Sequence, residues 1–398
     1  MKNRSILVVF ALLVSGQFYS QILTKEDSLS AGLIKSNSAT VISGYGNIKY
    51  ANNLTLKTAE TNVDRLILFV GHKFNKKIAF FSELEIEDVK IEGGSPGGEF
   101  AIEQAFIKFD INRSNYISAG LLIPRLGIIN ENHLPTTFNG NDRPMVEKYV
   151  IPATFREVGI AYYGTSQKMA GLNYSVAVLN GLNGEGFSAE KGIRGGRYEG
   201  AGANANTLAV TAALLYYKNN LRAQVSGYIG GSNTLSSQDA DALQLSKGVF
   251  GAPVELVECN LQYKVKGFQL KGLVSFINIS EAEKMNSFYG NNIAQNILGY
   301  YLEAGYNLMH KTDKSLILFS RYENIDMTHK IAANSLYNPA NNLQFLTSGL
   351  TYLPHQGVAI KLDYVYRLTG TLNSSLVDPN NAYISSQNSI ILSLAYSF

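Results

Sequence analysis

Tryptophan is absent from this sequence, cysteine occurs once, and proline only nine times in 398 residues. A single cysteine, Cys259, excludes an intramolecular disulfide framework and a cysteine metal site, and it is expected in a strand as a small apolar residue. After the N-terminal segment, no apolar run approaches the roughly eighteen residues that a membrane-spanning helix requires. Charge is also sparse, at 16% of residues, and a formal net charge of +3 leaves no electrostatic footprint for nucleic acid. No G-x-S-x-G elbow, H-E-x-x-H pair or phosphate loop occurs. The five histidines, His72, His133, His310, His329 and His355, have no ligand-like spacing, so neither a metal nor a cofactor is expected.

What is present is aromatic and small: 24 Tyr, 19 Phe and 36 Gly at a mean hydropathy of -0.02. That balance suits a wall that is apolar on one side and wet on the other, with any aromatic girdle built from Tyr and Phe. The chain opens with Lys2 and Arg4, then an apolar run from Ile6 to Val14, then small and polar residues to Ser20. This is the pattern of a secretory signal peptide over 1–20, and no Cys lies near the cut to carry a lipid anchor. Residues 21–38 lack a strong period and are expected to form a short periplasmic lead-in, with the barrel over 39–398.

The C-terminal stretch ISSQNSIILSLAYSF places Ile390, Leu392, Leu394, Tyr396 and Phe398 on one face of a strand, and Ser389, Ile391, Ser393, Ala395 and Ser397 on the other. The same alternation recurs upstream. Ile78, Phe80, Leu84 and Ile86 oppose Glu83, Glu85 and Glu87; Leu261, Tyr263 and Val265 oppose Asn260, Gln262 and Lys264; Ile360, Leu362 and Tyr364 oppose Lys361, Asp363 and Arg367. Short polar links (near 75–77, 112–115, 165–170, 218–220, 266–267, 309–314 and 354–357) alternate with longer ones (51–62, 88–98, 125–155, 182–204, 231–251, 281–296, 327–342 and 371–384). Seven short and eight long links predict sixteen strands: an all-β, antiparallel transmembrane barrel with tight periplasmic turns and long outer loops. A soluble sandwich has no reason to separate its loops by length in this way. Phe398 is then expected at the periplasmic lipid interface, where it resembles the terminal aromatic read by the barrel-assembly machinery.

The longest link, 125–155, follows the fifth strand, and a barrel this wide needs something to fold inward and narrow its lumen. Pro135, Pro144, Pro152 and Gly140 give that segment fixed bends. The run Pro124-Arg125, Pro135-Thr-Thr-Phe138-Asn-Gly140, Arg143-Pro144 and Ile151-Pro-Ala-Thr-Phe155-Arg156-Glu157-Val-Gly159 resembles the phosphate-selective porin O and P family, in the branch typical of Bacteroidetes. The FFSELEIED and EQAFIKF strands and the closing SLAYSF fit the same picture, while Phe155 stands where the family leads one to expect Trp. The resemblance implies a sixteen-stranded trimeric channel constricted by the inward third loop; the cell outer membrane is the expected location, and the missing catalytic motifs lead one to expect no enzymatic activity.

The resemblance does not carry phosphate specificity with it. Guanidinium and ammonium groups bind phosphate when they converge without matching acids. The loop sets Arg125, Arg143, Lys148 and Arg156 against Glu131, Asp142, Glu147 and Glu157. The expected lumen wall is mixed as well: Arg65, Lys108, Lys271, Arg321, Lys361 and Arg367 against Glu83, Glu85, Glu87, Asp110, Glu258, Glu303, Glu323 and Asp363. The reading is a passive, water-filled channel for small hydrophilic solutes, with phosphate-like anions as candidates. Two alternatives are a non-porin barrel (hydrophobic-compound uptake or a secretion-machine component) and an outer-membrane hydrolase. The first should show an apolar lumen or an N-terminal plug, the second a His with Ser or Asp at one rim.

Overall fold

A computed structural model describes residues 39–88, 98–235, 237–372 and 384–398. The expected signal peptide and lead-in lie outside these residues. Sixteen strands run in order: β1 (Thr40–Asn53), β2 (Thr58–Lys73), β3 (Ile78–Glu87), β4 (Glu99–Asp110), β5 (Asn115–Leu122), β6 (Glu157–Thr165), β7 (Leu172–Asn180), β8 (Leu208–Lys218), β9 (Leu221–Gly231), β10 (Pro253–Val265), β11 (Phe268–Ile279), β12 (Ala294–Asn307), β13 (Ser315–Ile331), β14 (Asn342–His355), β15 (Val358–Thr369) and β16 (Ser386–Ser397). Among the described residues, three short α-helices sit in the long links: α1 (Met145–Tyr149), α2 (Ser237–Ala242) and α3 (Ala282–Tyr289). Each strand pairs antiparallel with its sequence neighbours, and β1 pairs with β16 from Tyr45↔Ser397 to Asn53↔Ser389, closing the barrel. Closure leaves no unpaired edge, which is the condition for a sheet to cross hydrocarbon.

The period-two pattern decides which side faces out. Along β10, Val257, Leu261 and Tyr263 are exposed with Cys259, whereas Val254, Leu256, Glu258 and Asn260 are buried. Along β16, Ile390, Leu392 and Leu394 are exposed and Ile391, Ser393 and Ala395 buried. The outward face is therefore a belt of large apolar side chains, with Leu302 56% and Leu318 53% exposed. In water such a belt would drive aggregation, and in lipid it is matched.

All seven expected short links are short, from two residues at 219–220 to seven at 308–314. The expectation of a long loop over 51–62 is corrected: β1 and β2 run to within four residues of each other, joined by 54–57. Asn53 Oδ1 accepts from the Thr55 and Leu56 N–H groups at 3.1 and 2.9 Å, and this side-chain turn closes the hairpin. The hairpin's tip is wet on both faces, so no hydropathy alternation betrays its strands. Similarly β13 extends to Ile331, shortening the link expected over 327–342. The links over 88–98 and 371–384 fall largely outside the described residues.

A second correction concerns the inner wall. The inward face was expected to be wet throughout, yet on β7–β13 it carries Leu179, Ala209, Val254, Leu256, Leu273, Ile277, Ile297, Tyr301 and Ile325, all buried. Long loops pack inward against that side.

Candidate functional site

The segment between β5 and β6, residues 123–156 (L3), turns into the lumen, and Asn130 holds its two ends together. The Asn130 amide donates to the Pro124 and Phe155 carbonyls at 2.8 and 3.3 Å, and its oxygen accepts from Phe155 N–H at 2.7 Å. Glu147 on α1 fixes the next turn. Its Oε2 accepts from the Ile128 and Ile129 N–H groups at 2.9 and 2.6 Å, and its Oε1 from the Tyr301 hydroxyl at 2.8 Å. Gly127, at φ +70°, allows this approach, since a Cβ there would stand 2.8 Å from Glu147 Oε2. Burial pushes the Glu147 carboxyl up to about 7, against three donated bonds that favour its ionised form.

L3 then crosses to the far wall. Lys361 Nζ donates to the Phe138 and Gly140 carbonyls at 2.9 and 2.7 Å, Asn139 to Glu303 at 2.9 Å, and Asn141 to Asp363. Arg321 pairs with Glu303 and Glu323 at 3.2 and 2.8 Å and donates to the Asn139 and Asp142 carbonyls. Glu323 also accepts from Val146 N–H at the start of α1. Arg321, Lys361 and Asp363 thus form a clasp on the loop tip. Behind it, Val146, Val150, Ile151 and Phe155 pack against Leu179, Phe187, Tyr228, Leu256, Leu273 and Tyr301, filling that side of the lumen. Phe155 meets Tyr228 edge-on at 5.4 Å and is 1% exposed.

The polar space is left on the other side. A cavity of about 250 Å³ is bounded by Asn47 of β1, Asp64 and Arg65 of β2, Glu85 and Glu87 of β3, and Glu99 of β4. Facing them are His133, Asn141, Asp142, Arg143, Lys148, Thr154 and Arg156 of L3, with Arg194, Arg197 and Glu199 from 181–207 (L4). Carboxylates dominate the barrel wall and guanidinium groups the loops, so a field runs across the cavity.

Many of these charges neutralise one another. Lys49 pairs with Asp64 at 3.0 Å and Asp142 at 3.4 Å; Arg65 with Glu85 and Glu87 at 3.3 and 3.2 Å; Arg156 and Arg197 share Glu199 at 3.1 and 2.7 Å. Among the described residues, Arg143, Lys148 and Arg194 have no acidic partner within ion-pair distance. Arg194 donates instead to the Lys148 and Ala153 carbonyls at 2.9 and 2.7 Å, and Arg197 to those of Pro152 and Thr154 at 3.1 and 2.7 Å. Arg143 Nη2 and Arg156 Nε are buried without any hydrogen bond. Burial lowers the Lys148 ammonium's affinity for its proton, with Arg194, Lys49 and Arg143 acting in the same direction against Asp142. Burial and the neighbouring Arg194 bring the Arg197 guanidinium down to about 10.

Of the charged residues singled out in the sequence, Asp142, Arg143, Lys148 and Arg156 of the loop and Arg65, Glu85 and Glu87 of the wall line this cavity. Arg125 and Glu131 do not: they pair with each other at 2.7 Å, and Arg125 lies over the Tyr163 ring. Glu147 is fully buried in its backbone-fixing role. Glu83 sits below the cavity, bonded to Tyr45 and Gln104. Arg367 is on β15, away from the lining, with its Nε buried and unbonded. Phe398 is 72% exposed, and its backbone exchanges hydrogen bonds with Gly44. L4 was expected as a long link over 182–204, but its charges were not singled out as lining residues. Its signal was there, in Lys191, Arg194 and Arg197 within seven residues around Gly195-Gly196.

No protein-family model matches the chain, so the phosphate-selective branch rests only on the residues quoted for it. Over 340 residues the chain is 31% identical to an uncharacterized protein of Aquifex aeolicus (strain VF5), a match that covers 81% of this chain and 74% of that protein. The chain belongs to that protein's family. Among solved structures it is similar to Salmonella typhi OmpF in complex with daunomycin (TM-score 0.57, 12% identity, covering 90% of this chain and 97% of that one). It is also similar to the anion-selective porin from Comamonas acidovorans (TM-score 0.54, 13% identity, 90% and 99% covered). The trimer form of OmpT, an outer membrane protein of Vibrio cholerae, gives a TM-score of 0.54 at 11% identity, with 90% and 99% covered. At these identities the likeness is one of fold: a porin-type outer-membrane barrel.

Proposed function

We propose that this family member is a passive outer-membrane porin, without enzymatic activity, that admits small hydrophilic solutes and favours anions among them. The observation that carries this reading is the trio Arg143, Lys148 and Arg194, cationic and without acidic partners, beside a polar cavity that the two inward loops leave against β1–β4. An anion passing there meets guanidinium and ammonium donors on the loop side, while the wall carboxylates orient dipolar solutes across the passage. The packed apolar half of the lumen explains how a barrel this wide can discriminate, because loops rather than strands set the free cross-section. The charges remain mixed, so the reading is a preference for anions in general rather than for phosphate. The anion-selective porin and the trimeric OmpT among the fold neighbours support the same reading, with a homotrimer as the assembly. Planar-bilayer recording tests it: the refolded protein should give discrete conductance steps, and a salt gradient a reversal potential of anion-selective sign. A barrel that inserts without conducting overturns the porin reading, and a cation-selective sign overturns the preference.

A further inference from the structure

Below the rim formed by Glu85 and Glu87, one inward rung holds Glu83 of β3, Glu103 of β4, Tyr45 of β1 and His133 of L3. All four are at most 2% exposed. One carboxylate oxygen from each glutamate and a ring nitrogen of His133 lie within 4.8 Å of one another. His133 Nε2 is 3.1 Å from Glu103 Oε2 and 3.5 Å from Glu83 Oε1. The Tyr45 hydroxyl stands beside the same two carboxylate oxygens, 2.8 Å from Glu83 Oε1 and 3.3 Å from Glu103 Oε2. His133 Nδ1 lies 3.1 Å from the Asn130 carbonyl, which can only accept, so Nδ1 carries a hydrogen and Nε2 is turned toward the carboxylates. Gln104 donates to Glu83 Oε2 at 2.7 Å and Thr154 to Glu103 Oε1 at 3.0 Å, so neutral donors hold the far oxygens.

Among the described residues, no lysine or arginine pairs with Glu83, and Glu103 has one distant guanidinium. The nearest guanidinium, on Arg156, is 3.9 Å from Glu103 and is shared with Glu199. A second proton on the ring offsets one of the two carboxylates, whereas a divalent ion offsets both. Glu85, the next inward residue of β3 and 3% exposed, is paired separately, its Oε1 lying 3.3 Å from Arg65 Nη1. His133 also lines the cavity, which provides a route of entry from solvent.

We propose that Glu83, Glu103 and His133 bind one divalent transition-metal ion. An imidazole with two carboxylates is an N/O donor set suited to zinc, whose bonds of roughly 2.0–2.2 Å the present spacing can reach by side-chain adjustment. The ion would fasten L3 to β3 and β4 at the floor of the cavity, and Tyr45 or water would complete its shell.

The experiment uses the full mature barrel in detergent micelles, stripped with chelator and dialysed against micromolar Zn²⁺. One equivalent should bind and raise the thermal midpoint. His133→Gln, which keeps a donor toward Glu103 but loses the nitrogen lone pair, and Glu103→Gln should each abolish both effects while retaining the β-sheet circular dichroism. Glu83→Gln serves in place of either variant that does not fold. No bound zinc in the native protein overturns the proposal. So does equal binding in the folded variants, which would place the ion on exposed histidines such as His310 and His329.

Discussion

At the scale of single residues, the barrel interior separates charges that fasten from charges that face solute. Lys361 has 1% of its surface exposed and no solvent to hold its charge, so the Phe138 and Gly140 carbonyls and the Phe138 ring, 4.2 Å away, do so. Lys361→Met should leave the Phe138 and Gly140 carbonyls buried without their donor and lower barrel stability by about 2 kcal/mol, read as a fall in the urea midpoint. Glu147 yields a pH prediction. Its folded value, pushed up to about 7, lies above the ordinary 4.5. Its contribution is therefore fully present below pH 4.5, declines as pH rises toward 7, and is absent above that. Thermal unfolding should show this decline, and Glu147→Gln should flatten it across that interval. A native midpoint that rises between pH 4.5 and 7, with the rise lost in the variant, would show that the three donated hydrogen bonds outweigh burial.

At the scale of elements, L3 is a folded insert with its own apolar face. Val146, Val150, Ile151 and Phe155 take the place of lumen water on the β7–β13 side, and the turn that closes α1 brings Val150 and Ile151 back onto Val146. Removing the tip, residues 134–142, should raise single-channel conductance severalfold, because the clasp and the lining it supports go together. Unchanged conductance would mean that L4 alone sets the free cross-section. The neutral Arg125–Glu131 pair provides an internal control: Arg125→Gln should leave the reversal potential unchanged, since that guanidinium sits over Tyr163 rather than beside the cavity.

At the scale of the whole molecule, a lipid-facing belt surrounds a lumen that is half packed and half wet, and selectivity follows from that asymmetry. Neutralising Arg143, Lys148 and Arg194 together should shift the reversal potential toward cations by tens of millivolts in dilute salt. The native preference should shrink in molar salt as screening shortens to about 3 Å. Sequence by itself determined the barrel, its strand number and its outward face, because lipid on one side imposes a period of two that Leu392, Leu394 or Ile360 cannot escape. It also marked L3, because three prolines and Gly140 break that period. It misread 51–62, where a hairpin wet on both faces has no period to show. The partners of each inward charge were decided only by the tertiary structure. Arg321 and Lys361 alternate along their strands as a pore lining would, yet they meet L3 carbonyls brought from 179 to 223 residues away. Arg194 and Lys148 become neighbours only once L3 and L4 share the lumen. Positions 83, 103 and 133 follow no ligand spacing until β3, β4 and the loop come together. Periodicity is a local property and survives in the sequence, while convergence across a barrel is not local.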